Sequence, residues 1–418
     1  MPVTLRRLQP GEETAFLKSV RVPFLDPNTG SAEDDAADQP RAARLETERM
    51  WVAEDRGQFV GNGGVRTMDL TVPASPGRAC PIVRMGGVTA VGIHPTHRRR
   101  GLLTQMMSRM LDDCRERGEP LAGLIASESI IYGRFGFGLA SDSAEYRIDS
   151  SRSAFKANPA PRDIRLIDHF EAAKILPTLF DTARTARAGE PNRTPEFWEE
   201  VLADKPTDRH GASGLFFAAT EDGYVGYRAK RDADILRGER AEVVVEEVAA
   251  ADPGVQAALW RFVLDLDLIG HVTFRRRPLD EPVRWRLADP RQLQTKAVYD
   301  RLHLRILDVP GALTARGYST EAQLTIDVLP DDTAGEDPAI GAWSLEAGPH
   351  GAHCARAKAT APADICLSVT TLGSLYLGGA SATTLAAAGL VEELTPGSIA
   401  TANRLFAAAP APSTVTGF

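Results

Sequence analysis

Residues 88 to 103 read VTAVGIHPTHRRRGLL, which sets three arginines and a glycine directly ahead of a periodic apolar run. Arg98, Arg99 and Arg100 offer charged, fork-shaped donors that suit phosphate oxygens. Gly101 lacks a Cβ, so a ligand can come close to the backbone there. If a helix begins at Leu102, its first N–H groups are unpaired and the positive end of its dipole faces the same point. Together these features would hold a phosphate-rich cofactor such as coenzyme A. The stretch before the loop, with Val91 and Ile93, is expected to be a strand whose backbone pairs with the amide-bearing arm of that cofactor. Two polar groups follow the next apolar run. Ser127 can hydrogen-bond the same arm. Tyr132 brings a phenol of ordinary pKa near ~10, suited to giving a proton to a leaving group.

These residues need a strand, a tight loop and a helix in that order. Leu102 to Arg117 supplies the helix, with Leu103, Met106, Met107, Met110, Leu111 and Cys114 on one side and Gly118 as its stop. Arg84 to Ile93 and Leu121 to Ala126 are the expected flanking strands. Trp51–Glu54 and Gln58–Gly61 form a hairpin about Asp55-Arg56-Gly57, and Thr67–Val72 is expected as a further strand. The polar, proline-bearing stretch 150 to 162 marks a linker. After it the α/β texture repeats: a helix at 170–188, strands at 215–220, 223–230 and 242–248, and a helix at 254–268. This second copy has Ala249-Ala250-Ala251-Asp252-Pro253-Gly254 where the arginine loop would be, so it is not expected to hold the same cofactor. A third segment begins near Arg291, with strands at 304–310, 324–328 and 343–346 and helices at 369–376, 381–388 and 396–409. The expected domains are therefore 1–155, 156–290 and 291–418, all of mixed α/β (α+β) class. Arg275-Arg276-Arg277 reads as a surface or inter-subunit charge run.

Composition narrows the function classes. The 418 residues are 43% hydrophobic and 25% charged, which suits several packed cores. Forty-eight basic against 56 acidic residues leave a net charge of −8, unsuited to nucleic acid as the main partner. No apolar run is long enough for a membrane span or a signal peptide, so a cytoplasmic protein is expected. Cys80, Cys114, Cys354 and Cys366 stand apart, so buried free thiols are expected and neither a disulfide framework nor a metal site is.

The run Val88–Leu103 resembles the acetyl-CoA motif of the GNAT superfamily, R/Q-x-x-G-x-G/A, with Leu103 where a small residue is usual. Ser127 to Gly138, SESIIYGRFGFG, is similar to the matching segment of the Eis (enhanced intracellular survival) family of N-acetyltransferases. That resemblance implies two tandem GNAT-like domains followed by a sterol-carrier-protein-like domain. It implies acetyl-CoA as cosubstrate, held by Val91, Ile93, Arg98, Arg99, Gly101, Leu102 and Ser127. It makes Tyr132 the catalytic acid and the carboxylate of Phe418, the last residue, the base. Nine residues from Pro410 span up to about 30 Å when extended, so a flexible tail can reach another domain. In GNAT folds the first helices line the acceptor site, which places Phe24, Asp26 and Glu33 there and suits a polycationic amine such as an aminoglycoside. A homohexamer is the implied assembly. With no cysteine close to Tyr132 in sequence to carry the acyl group, direct transfer is expected. Two rival readings are a protein-lysine acetyltransferase and a lipid-binding protein with a vestigial GNAT half.

Overall fold

The computed structural model describes residues 3–25, 41–42, 45–230, 240–331 and 337–418. The first segment contributes strands β1 (Thr4–Arg7), β2 (Met50–Asp55), β3 (Gln58–Thr71), β4 (Ile82–Ile93), β5 (Leu121–Ile125) and β6 (Gly138–Asp149), with helices α1 (Glu13–Phe24) and α2 (Leu102–Glu116). The second contributes β7 (Arg165–Ile167), β8 (Phe216–Ala219), β9 (Gly223–Lys230), β10 (Ala241–Ala250), β11 (Ile269–Arg277) and β12 (Gln294–Ile306). Its helices are α3 (His169–Arg184), α4 (Pro195–Ala203), α5 (Pro253–Leu264) and the short α6 (Val283–Arg286). All twelve strands join one sheet, in the order β1-β2-β3-β4-β5-β12-β6-β11-β10-β9-β8-β7.

That order reads as two six-stranded units that have exchanged their last strands. Strand β12 closes the second segment but pairs with β5 of the first. Strand β6 closes the first but pairs with β11 of the second. The two exchanged strands then pair with each other at the centre. The sequence places the third segment's start at 291, yet residues 294–306 lie in the middle of this sheet. Alternation of apolar residues makes a strand legible, but its partner is chosen by tertiary pairing. The separate third unit begins after Ile306.

Local chemistry explains most elements. Arg56 and Gly57 both take positive φ, 52° and 77°, the turn that matches the twist of a two-residue hairpin. Gln58–Gly61 and Thr67–Val72, expected as separate strands, are one continuous β3, because the glycines between them extend rather than turn. Helix α2 buries Met106, Met107, Met110, Leu111 and Cys114 against Val65, Val88, Ala122 and Leu124 of the sheet. Each such side chain contributes about 1.5–3 kcal/mol. The buried Arg49 guanidinium donates to Asp113 Oδ2 at 2.9 Å and to both oxygens of Glu119 at 2.8 Å, which fixes α2 to the start of β2.

The third unit has helices α7 (Val309–Ala315), α8 (Val369–Tyr376), α9 (Ala382–Ala387) and α10 (Ser398–Phe406). Its strands β13 (Ala322–Leu329), β14 (Gly341–Gly348), β15 (Gly351–Arg356), β16 (Ile365–Ser368) and β17 (Val391–Glu393) form a second sheet, β15-β14-β13-β16-β17. Its core is continuous with one face of the large sheet, where Met68, Leu70, Val83, Met85, Leu302 and Leu304 meet Leu372, Leu375 and Phe406.

Arg275–Arg277, expected as a surface charge run, ends strand β11. Arg277 is buried and pairs with Glu281 at 2.7 Å, while Arg276 meets Glu246 at 2.8 Å. The cysteines are free thiols, two of them buried. Among the described residues no helix is long and apolar enough to cross a membrane.

A chain ended at Pro290 loses β12 and leaves β5 and β6 with open edges at the middle of the sheet. We expect that truncation to aggregate, read by size-exclusion chromatography. A monodisperse, folded 1–290 fragment would contradict the exchange.

Candidate active site

The site begins where two parallel strands part. β4 and β5 pair only at Met85–Leu121, Gly86–Ala122 and Gly87–Gly123. Beyond Gly87, β4 stays paired with β3 as far as Ile93, while among the described residues its other edge has no strand beside it. Unpaired N–H and C=O groups along such an edge are what an amide-bearing ligand needs. Val91 and Ile93 lie on this stretch, half-buried against the core beneath α2.

The loop after β4 is braced from within. His94 Nδ1 lies 2.7 Å from Thr96 Oγ1, which lies 2.8 Å from His97 Nδ1, and His97 Nε2 reaches Asp55 Oδ2 at 3.2 Å. The two histidines therefore hold the loop's shape. Arg98, Arg99 and Arg100 are exposed. Gly101 takes φ 75° as the residue before α2, and no side chain caps the helix start. The first N–H groups of α2 are thus left without a side-chain cap directly after the three arginines. Leu102 is buried, so its contribution there is its backbone N–H. The equivalent place in the second half is closed. There the Asp252 carboxylate accepts the N–H groups of Gly254 and Val255 at 2.8 Å each, and Pro253 has no N–H to give. A phosphate would meet a carboxylate at that helix start.

Past β5 the chain makes two short 3₁₀ turns, Ser129–Ile131 and Gly133–Phe135, with Tyr132 between them. Tyr132 is 6% exposed and meets Phe137 edge-on at 6.4 Å. Burial raises the pKa of its phenol, and a hydrogen bond with the Ser127 side chain works against that rise. The group therefore keeps its proton at neutral pH. The third unit and strand β12 hold this turn in place. Thr370 Oγ1 donates to Gly133 O at 2.9 Å, and Arg305 donates to Phe135 O while pairing with Asp337.

The chain end lies at the point where the strands part. A Cβ built on Gly87 would stand 3.1 Å from Phe418 Cδ2, so the ring of the last residue rests on the glycine at the apex of the opening. The approach to it is ordered rather than flexible: Thr414 and Thr416 are 0% and 1% exposed. At the other side of the opening, Pro23 sits on Gly92, and the next residue, Phe24, is 47% exposed. Asp26 and Glu33 lie outside the described residues. Phe135 packs in the core beneath α2 and Trp51 packs against it.

The structure adds Arg66, which sequence inspection missed. It is the cross-strand partner of Gly87, so its side chain leaves β3 on the face that carries Phe418. It makes no hydrogen bond or ion pair among the described residues, and burial lowers its pKa. The acids around it are engaged: Glu46 accepts from Thr67 N and Oγ1, and Glu200 pairs with Arg41. Strand register alone brings Arg66 here, and a single sequence does not print register.

Strands parted beside an arginine loop and an uncapped helix start define an acetyltransferase of the GNAT class. Models of the acetyltransferase (GNAT) domain match residues 4–140 and 189–306, and a sterol carrier protein domain matches 309–415. An uncharacterized N-acetyltransferase of Streptomyces avermitilis is 38% identical over 87% of this chain and 88% of its own length. The N-acetyltransferase Eis of Mycobacterium tuberculosis is 33% identical over 79% of each chain. The crystal structure of Eis1 from Mycobacterium abscessus superposes with a TM-score of 0.85 at 31% identity, covering 99% of this chain and 100% of the other. The chain belongs to the Eis family of GNAT N-acetyltransferases.

GNAT domains use acetyl-CoA, and in the first half Arg98, Arg99 and the uncapped N–H groups of α2 offer donors of the kind its phosphates need. Charge-assisted hydrogen bonds contribute about 1.5–3 kcal/mol each. Replacing Arg98 and Arg99 together by alanine should raise the acetyl-CoA KM roughly 100-fold with kcat little changed. An unchanged KM in steady-state assays would remove these arginines from the cofactor site.

Proposed function

We propose that the chain transfers acetyl from acetyl-CoA directly to a primary amine of a polycationic acceptor such as an aminoglycoside. Tyr132 acts as general acid and the terminal carboxylate of Phe418 as base. The observation that carries this reading is the seat of Phe418 on Gly87, where β4 and β5 part.

Bound acetyl-CoA supplies an activated thioester. Each role of the protein then follows from a side chain. The backbone edge of Val88–Ile93 aligns the cofactor's arm, and Arg98, Arg99 and the α2 N–H groups hold its phosphates. The Phe418 carboxylate binds the acceptor's ammonium and takes its proton, through water where the approach is long. The amine nitrogen so freed bonds to the acetyl carbon as the carbon–sulfur bond breaks, and the nitrogen sheds its second proton to solvent water to leave the neutral amide. Tyr132 O–H gives its proton to the departing sulfur and recovers one from solvent. A phenol whose pKa is raised by burial suits that task, because it holds its proton across the physiological range. The second half, its helix start closed by Asp252, takes no part in cofactor binding. Phe24 stands at the acceptor side, and the acidic stretch that includes Asp26 and Glu33 is the proposed attraction for further amines.

Tyr132→Phe should lower kcat about 100-fold while leaving the acetyl-CoA KM unchanged; full turnover would end its role as acid. Ser127→Ala removes the hydrogen bond that favours the phenolate, so the alkaline limb of the kcat profile should move to higher pH. A limb that stays in place or moves down would count against the pairing. Arg66 opposes a cation on the acceptor face. Arg66→Met should therefore lower the KM of kanamycin severalfold without changing that of a monoamine such as hexylamine; equal effects on both would take Arg66 out of the acceptor site.

A further inference from the structure

We infer that the second, cofactor-free half supplies the seat of the catalytic base, with Glu190 as the positioning residue that ties the chain end to the catalytic sheet. This inference rests on the reading of Phe418 as base.

Residues 188 to 192 run between the catalytic strand β3 and the tail, and hydrogen-bond to both. On the β3 side, Gly189 N donates to Thr71 O at 2.8 Å, Thr71 N donates to Glu190 O at 3.1 Å and Asn192 N donates to Asp69 O at 2.8 Å. The Asn192 side chain accepts Asp69 N at 2.8 Å, and the Thr71 hydroxyl accepts Glu190 N at 3.0 Å. On the tail side, Ser413 N donates to Ala188 O at 2.9 Å and Thr414 Oγ1 donates to Gly189 O at 2.6 Å. The Glu190 carboxylate then takes the next two N–H groups, Val415 N at 2.6 Å and Thr416 N at 2.9 Å. One residue thus meets β3 through its backbone and the tail through its side chain.

The opposite edge of the tail is held as well. Arg301, on the exchanged strand β12, donates to the carbonyls of Thr414 and Val415 at 3.1 and 2.8 Å. Arg193 Nε donates to Thr416 Oγ1 at 2.8 Å while its other nitrogens grip Glu247, which also accepts from Tyr224. Arg193 in turn stacks on Phe180 and Trp198, the packed aromatics of α3 and α4. Glu190, Thr414 and Thr416 are buried. Buried charges cost several kcal/mol each unless they are paired or hydrogen-bonded; here Arg193 pairs with Glu247 at 2.7 Å, while Glu190 and Arg301 are satisfied by the backbone of the tail. A simple structural tether could be apolar. Fixing both backbone edges of residues 414–416 fixes where the carboxylate two residues on must stand.

A carboxylate misplaced by 1 Å can cost about 100-fold in rate. The test is a double-mutant cycle in the full-length protein, reading acetyl transfer to kanamycin with radiolabelled acetyl-CoA. Glu190→Gln keeps the volume but can accept only one of the two N–H groups. It should lower kcat by roughly 10- to 100-fold and leave the acetyl-CoA KM within about twofold. In a chain that also ends at Gly417, the same substitution should cost almost nothing further, because the group it positions is gone. Arg301→Gln, acting on the other edge, should give the same pattern. Glu190→Gln with the kcat of the unaltered protein, or with its full loss repeated in the chain ending at Gly417, would overturn the inference. Normal turnover in the chain ending at Gly417 alone would instead remove the base reading, whatever Glu190 does.

Discussion

The whole site depends on a hydrogen-bonding limit. Two parallel strands, β4 and β5, stay paired only to Gly87 and Gly123 and then separate. A strand edge without a partner is costly in a core, so it must be filled. In this protein the vacated edge offers its unpaired N–H and C=O groups to an amide-bearing ligand. The glycine at the apex has a second consequence. Because Gly87 has no side chain, the aromatic ring of Phe418 can rest directly on the backbone there. Cofactor edge and chain end therefore meet at one point, set by one residue pair.

The exchanged strands tie together the parts that meet at that point. β12 fills the place beside β5, and its residues serve several parts of the molecule at once. Arg301 holds the tail, Leu302 and Leu304 enter the third unit's core, and Arg305 grips the turn that carries Tyr132. The third unit adds Thr370 on the same turn. Tyr132 and the chain end are thus both positioned by segments far from the arginine loop in sequence. The second half has kept the strand and helix order of the first but closed its helix start with Asp252. What it retains is a network of buried charges around the tail.

Much of this was written locally in the sequence. The strand–loop–helix unit from Val88 to Glu116 is legible because arginines, a glycine and an amphipathic stripe stand in a fixed order, and each acts through backbone geometry or charge close by. The closed helix start of the second half is legible for the same reason, since Asp252-Pro253 is itself a helix cap. Helix α8 coincides with the expected 369–376, where Ser368 caps its start.

Tertiary structure alone decided the rest. Apolar alternation marks residues 304–306 as strand, but only pairing across the whole sheet moves β12 out of the third unit and between β5 and β6. Arg66 lies on the face that carries Phe418 because β3 and β4 pair in one register, and a shift of one residue would turn it away. Arg277 reads as a surface charge until the fold buries it beside Glu281. The tail reads as a loose end because no local pattern binds it; its partners Glu190, Arg193 and Arg301 are supplied by distant segments. Local sequence fixes what a few neighbouring residues can do through backbone preference and periodicity. Which groups meet across the molecule follows from register and long-range packing, and those exist only once the chain has closed on itself.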